Sequence, residues 1–244
     1  QTKSIQTVTS FDPNEVVGSE GVGDVHYISG NEPLRYSIFF ENMGTATAAA
    51  QEITIIDQLG TATADLDTFS FGKIAFGDWE AAPTQGLSEY STEVDLRPDR
   101  DVTVRINASL NNDTGRIIWH MVAVDPDTSE FPEDPSVGIL PPNVTPPEGE
   151  GNVLFTVMPK TGLATGTEIR NKAKIIFDVN EPIETNEWMN TIDNSNPSSH
   201  VLPLDAVQYT ATFDVQWEGS DDGAGIKDYT LYVSTNGGTY TAWM

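Results

Sequence analysis

Residues 34–41 read LRYSIFFE: Leu34, Tyr36, Ile38 and Phe40 fall on one side of an extended chain, and Arg35, Ser37 and Glu41 fall on the other. Only Phe39 breaks the alternation. Successive side chains of a strand point to opposite faces, so this is the pattern of a strand with one buried face. The same period of two returns at Val102, Val104, Ile106 and Ala108, alternating with Thr103, Arg105 and Asn107. In 169–177 it places Ile169, Ala173, Ile175 and Phe177 inward, with Arg170, Lys172 and Lys174 toward water. Further strands are expected at 53–56, 69–76, 117–124 and 153–157. No stretch of ten or more residues carries a helical period. Many short strands divided by Gly, Pro, Asn and Asp clusters predict an all-β chain, an antiparallel β-sandwich whose layers bury alternate side chains against each other.

Two long irregular stretches interrupt this pattern, one at 12–24, rich in Gly and acids, and a Pro-rich insert at 125–151. Ordering a loop costs roughly 1–2 kcal/mol per residue in backbone entropy, so something must hold them. A sandwich domain is therefore expected over 1–193. A linker follows at 194–204, where the alternation gives way to Ser and Pro. Beyond it Phe213, Val215 and Trp217 alternate, and 229–233 leads through an Asn-Gly-Gly turn to Tyr240 and Trp243. Residues 205–244 thus read as the first part of an Ig-like domain, which needs roughly 100 residues. The expectation is a longer parent chain, with strands supplied by another chain as the alternative.

The 244 residues carry 37 acidic against 12 basic side chains, a net charge of −25, and no Cys. Such acidity repels phosphate backbones and anionic lipid, which argues against nucleic acid as a partner, and no apolar run is long enough for membrane insertion. Divalent cations are the natural counterpart, and halophilic solvation of the surface is the alternative. His26, His120 and His200 stand apart, and neither HExxH nor GxSxG occurs, so no hydrolase signature is present. The chain reads as a non-enzyme.

Calcium takes six to eight oxygens from carboxylates, Asn side chains and loop carbonyls. One candidate set joins Asp12 and Asn14 of SFDPNE with Asp178, Asn180 and Glu184 of FDVNEPIETN. A second is Asp125, Asp127, Glu130, Glu133 and Asp134 in VDPDTSEFPEDPS, where five crowded carboxylates repel one another unless solvated, protonated or bridged. The competing reading is turn chemistry, in which Asp and Asn bond their own backbone. Lys172 and Lys174 near Asn180 raise a further idea, an intramolecular Lys–Asn crosslink, which their outward orientation disfavours.

The segments SFDPNE, LRYSIFFENMGTATA and GNVLFTVMPKTGLATGTEIRNKAKIIFDVNEPIETN, taken in order over about residues 4–193, resemble a conserved-repeat β-sandwich family of very large exported bacterial proteins. The tail FDVQWEGSDDGAGIKDYTLYVSTNGGTYTAW resembles the first half of an Ig-like repeat found downstream in such proteins. The insert 125–151 departs from the simpler family pattern. The resemblance implies a structural or adhesive role, extracellular or at the cell surface, with neighbouring domains or copies of the same protein as partners. The alternative function is a carbohydrate-binding module that stacks polysaccharide on Trp79 and Trp188.

Overall fold

The computed structural model describes residues 14–243. In chain order its strands are β1 (Glu15–Val17), β2 (Tyr27–Ile28), β3 (Leu34–Glu41), β4 (Glu52–Gln58), β5 (Ala64–Phe76), β6 (Trp79–Ala81), β7 (Glu89–Asp95), β8 (Thr103–Asn111) and β9 (Arg116–Val124). They continue as β10 (Glu150–Pro159), β11 (Glu168–Asn171), β12 (Ala173–Phe177), β13 (Ile183–Glu184), β14 (Trp188–Ile192), β15 (Ser198–Val201), β16 (Trp217–Ser220), β17 (Tyr232–Val233) and β18 (Thr241–Ala242). The fold is all-β, and among the described residues no helix is long and apolar enough to cross a membrane.

Two large sheets form the sandwich. One has the order β1-β3-β10-β5-β6 and the other β13-β12-β4-β9-β8-β7. The alternation of β3 is realised as expected, with Leu34, Tyr36, Ile38 and Phe40 buried and Phe39 turned outward. From the opposite sheet β9 sends in Ile117, Trp119, Met121 and Ala123. Trp119 crosses the interface to reach Phe71 and Phe155, at ring-centroid distances of 5.6 and 5.8 Å. Each large apolar side chain buried this way stabilises the fold by about 1.5–3 kcal/mol.

The run 169–177 is broken at Lys172. Its first half, β11, pairs with β14 in a small sheet of order β11-β14-β2, and its second half, β12, joins β4. One length of chain therefore belongs to two sheets. The small sheet closes with a parallel pair, Tyr27 to Thr191 and Ile28 to Ile192.

Several expectations change. The stretch 12–24 is not wholly irregular, because β1 lies within it and pairs with β3. The linker 194–204 contributes β15, which pairs with β16. Phe213 and Val215 lie outside any strand, since β16 begins only at Trp217. The Asn-Gly turn between β17 and β18 is present, with Asn236 and Gly237 both at positive φ.

The insert 125–151 folds back as a plug. Ile139 and Leu140 are wholly buried, and backbone bonds tie Ala50 to Leu140 and Ile139 to Ala50 at 2.8 and 2.7 Å. The side-chain amide of Gln51 donates to the carbonyls of Pro132, Asp134 and Val137. Asn143 donates to Glu41 and Glu150. Two amide side chains thus supply much of what holds this loop.

Candidate functional site

On β4 the alternation that buries Ile53 and Ile55 continues to Asp57, which is wholly buried. Its cross-strand neighbours are Ile117 on β9 and Ala173 on β12. On β11 the inward face that carries Ile169 also carries Asn171, opposite Trp188 of β14. The Asn171 Nδ2 donates to Asp57 Oδ2 at 2.8 Å. Burial pushes the Asp57 carboxyl up to about 7, against the opposing effects of the Asn171 bond and a backbone bond at Gln58. Tyr36, buried beside it, has its phenol pushed up by burial and by the Asp57 charge. Asp57 Oδ1, Asn171 Oδ1 and the Tyr36 hydroxyl are all buried without a hydrogen-bond partner. An orphaned buried polar atom costs about 1–3 kcal/mol, so three in one place is the most unusual chemistry of the core.

This cluster was not singled out in the sequence, although the signal was there. One step of two beyond Ile53 and Ile55 reaches Asp57, and the step of two between Ile169 and Ala173 falls on Asn171.

The sequence-derived candidates lie elsewhere. Asp12 is outside the described residues, and Asn14 is buried at the start of β1. Asp178, at a φ of 52°, accepts the backbone N–H groups of Gln51 and Glu52, each at 2.9 Å, and so clamps the start of β4. Asn180 is exposed and closes a turn onto the Phe177 carbonyl at 3.0 Å. Glu184 bridges Lys172 and Lys174, which hold its carboxyl below the usual range. Both lysines therefore face water on Glu184, as their alternation required.

In the acidic loop, Asp125 Oδ1 accepts the N–H groups of Thr128 and Asp127, which lower its pKa. Asp134 does the same with the hydroxyl and N–H of Ser136. Asp127, Glu130 and Glu133 are not buried. Among the described residues no three His, Cys, Asp or Glu side chains converge as a metal-binding group. Trp79 is half-buried against Phe76, and Trp188 is half-buried, stacked on His26 at 4.5 Å with its N–H given to Asn190.

Comparison with known proteins matches residues 12–76 and 137–191 to a family described as "Domain of unknown function (DUF7619)". Together these segments make just under half of the chain. The segment 77–136 between the two matched stretches, which holds β6 to β9, is not matched. No curated protein matches the chain. Among solved structures, the collagen-binding domain of a Staphylococcus aureus adhesin aligns at 12% identity and a TM-score of 0.37, covering 76% of this chain and 100% of that one. The collagen-binding subdomain of the Enterococcus faecalis surface protein ACE aligns at 10% identity and 0.35, covering 77% and 100%. BcpA, the major pilin subunit of Bacillus cereus, aligns at 13% and 0.40, covering 94% of this chain and 63% of that one. At these scores the likenesses are distant.

Proposed function

We propose that this chain is a non-catalytic structural or adhesive module of a secreted or cell-surface bacterial protein, joined to neighbouring modules or further copies. The observation that carries the reading is where the perturbed chemistry sits. Asp57 is sealed in the core, whereas enzyme clefts bring shifted groups to a pocket wall. Surface acids such as Asp125, Asp134 and Glu184 are engaged in turns and ion pairs. The continuous core and the plugged insert suit a part that must keep its shape. Stretching tandem copies in single-molecule force measurements tests this. One cooperative unfolding step per copy is expected, and featureless extension at low force removes the mechanical role.

Calcium is the finer part of the proposal. It would bind the acidic loop through Asp127, Glu130 and Glu133, and a site drawn from Asp12, Asn14, Asp178 and Asn180. A ligand held only by the folded state raises stability, so Tm is expected to fall on adding EGTA. An unchanged Tm removes calcium and leaves an acidic spacer.

One observation favours the carbohydrate reading: Trp79 edges a cleft of about 230 Å³ lined by Asp95, Arg97, Asp99 and Arg100. A glycan array separates the two, since retention of a polysaccharide that is lost in Trp79→Ala belongs only to a binding module.

A further inference from the structure

Just beyond β14 two adjacent residues serve different parts of the molecule. Asn194 is bound into the sandwich: its Oδ1 accepts the N–H of Gly30 at 3.0 Å, its Nδ2 donates to the Leu163 carbonyl at 2.9 Å, and its backbone N–H donates to Thr165 Oγ1 at 3.0 Å. Asp193 has a hold on both sides. Its backbone N–H donates to the carbonyl of Ile28 in β2 at 2.8 Å, while its carboxylate reaches the tail, where Oδ2 accepts the N–H of Ala224 at 2.8 Å. The other oxygen, Oδ1, accepts the N–H and the hydroxyl of Ser195 at 3.1 and 2.6 Å. The Ala224 N–H above all, and then the Ser195 hydroxyl, holds this carboxyl below the usual carboxylate range, so the bond from sandwich to tail is charge-assisted.

The turn that meets Asp193 is braced on its own account. Asp221 Oδ2 accepts the N–H groups of Gly223 and Gly225, each at 2.9 Å, the way Asp commonly ties a turn of its own backbone. Gly223 is the point of closest approach, since a Cβ there would stand 2.2 Å from Asp193 Cγ and 2.4 Å from each of its oxygens. The covalent route from Asp193 into the tail is also stiff, because Pro197 fixes its own φ and restricts Asn196 before it. β15 then pairs with β16, Ser198 opposite Ser220, and β16 runs directly into the turn 221–225. Chain and hydrogen bonds together thus form a closed ring that begins and ends at Asp193.

We infer that this junction is a rigid joint latched by Asp193, which carries the tail in one fixed orientation on the sandwich. A free Ser-rich linker would let the tail swing. Here swinging requires the Ala224 bond to break and leaves a charged acceptor without its partner. The exposed Tyr232 and Tyr240 of the tail are thereby aimed in a set direction relative to the sandwich. The joint is a matter of geometry alone, so it stands or falls apart from the proposed function.

Because the chain has no Cys, a pair can be introduced for spin labels without removing any. In the full chain, Lys160→Cys on the sandwich and Lys227→Cys in the tail, both exposed positions, report the distance between the two parts by pulsed electron paramagnetic resonance. A single narrow distance distribution is expected. Asp193→Ala removes the acceptor, and Gly223→Ala puts a methyl group where the carboxylate lies. Each is expected to broaden the distribution in a protein whose sandwich still unfolds in urea as the labelled wild type does. Asp222→Ala, which removes an exposed acid of the same turn, is expected to leave it narrow. A broad distribution in the labelled wild type overturns the rigid joint, even where a variant fails to fold. A distribution that stays narrow in both Asp193→Ala and Gly223→Ala, or that broadens as much in Asp222→Ala, overturns Asp193 as its latch.

Discussion

The sandwich of residues 14–193 and the tail that follows are written in the same alternating pattern but reach different ends. In the sandwich the alternate residues meet a second sheet: Trp119 of β9 is wholly buried between Phe71 and Phe155. In the tail, among the described residues, β15 pairs only with β16 and β17 only with β18, and Tyr209, Tyr240 and Trp243 stay 94%, 70% and 61% exposed. Among the described large apolar residues of the tail, only Leu231 is buried. Alternation therefore specifies a face, and burial follows only where another layer covers that face. A two-stranded hairpin alone is at best marginally stable in water.

The contrast can be broken most directly through its tryptophans. Trp119→Ala is expected to lower stability by about 3–5 kcal/mol in urea unfolding, the range for emptying a large aromatic site. Trp217→Ala in β16 is expected to leave that transition in place, and a comparable loss there would erase the distinction between body and tail. Next in size is the pH response of Asp57. Its folded pKa is raised from 3.8 to about 7, so between those values the folded state holds a proton that the unfolded state has released. Stability from this group is therefore greatest in acid and is lost as pH rises toward 7, at up to about 1.4 kcal/mol per pH unit. Urea titrations from pH 4.5 to 8 are expected to show that slope in the wild type and lose it in Asp57→Asn. A constant offset between the two proteins leaves the slope comparison intact.

A smaller effect is expected at Asp178, where Ala removes the acceptor of two backbone N–H groups. The cost should be about 1–3 kcal/mol, and Asp178→Asn, which keeps an acceptor oxygen, should recover much of it. Smallest is Glu184→Gln: its pairs with Lys172 and Lys174 are exposed, and exposed pairs contribute little, so Tm should stay within measurement error at physiological salt.

The sandwich was legible where its strands are long and half-buried, as in β3, β8 and β9, since period-two burial is a property of single strands. Its sheet order was not, because the placing of β10 between β3 and β5 is decided by contacts more than seventy residues apart. The short strands β1 and β15 carry too few residues to show a period. Asp57 and Asn171 were hidden for another reason. A polar residue after or within an apolar alternation reads as a break in the buried face, whereas here Asp57 continues that face beyond Ile55 and Asn171 lies on it between Ile169 and Ala173. The acids of the loop were ambiguous because one carboxylate at one spacing serves either a cation or a neighbouring N–H, and Asp125 and Asp134 have N–H partners.

The parallel pairing of β2 with β14 joins an early strand of the sandwich to its last. Traction applied to the chain ahead of β2 and beyond β14 drags these neighbours in opposite directions along their common axis. The bonds from Thr191 to His26 and from Asp193 to Ile28 then share the strain together instead of opening one after another like a zip, which is how a slender seam resists tearing.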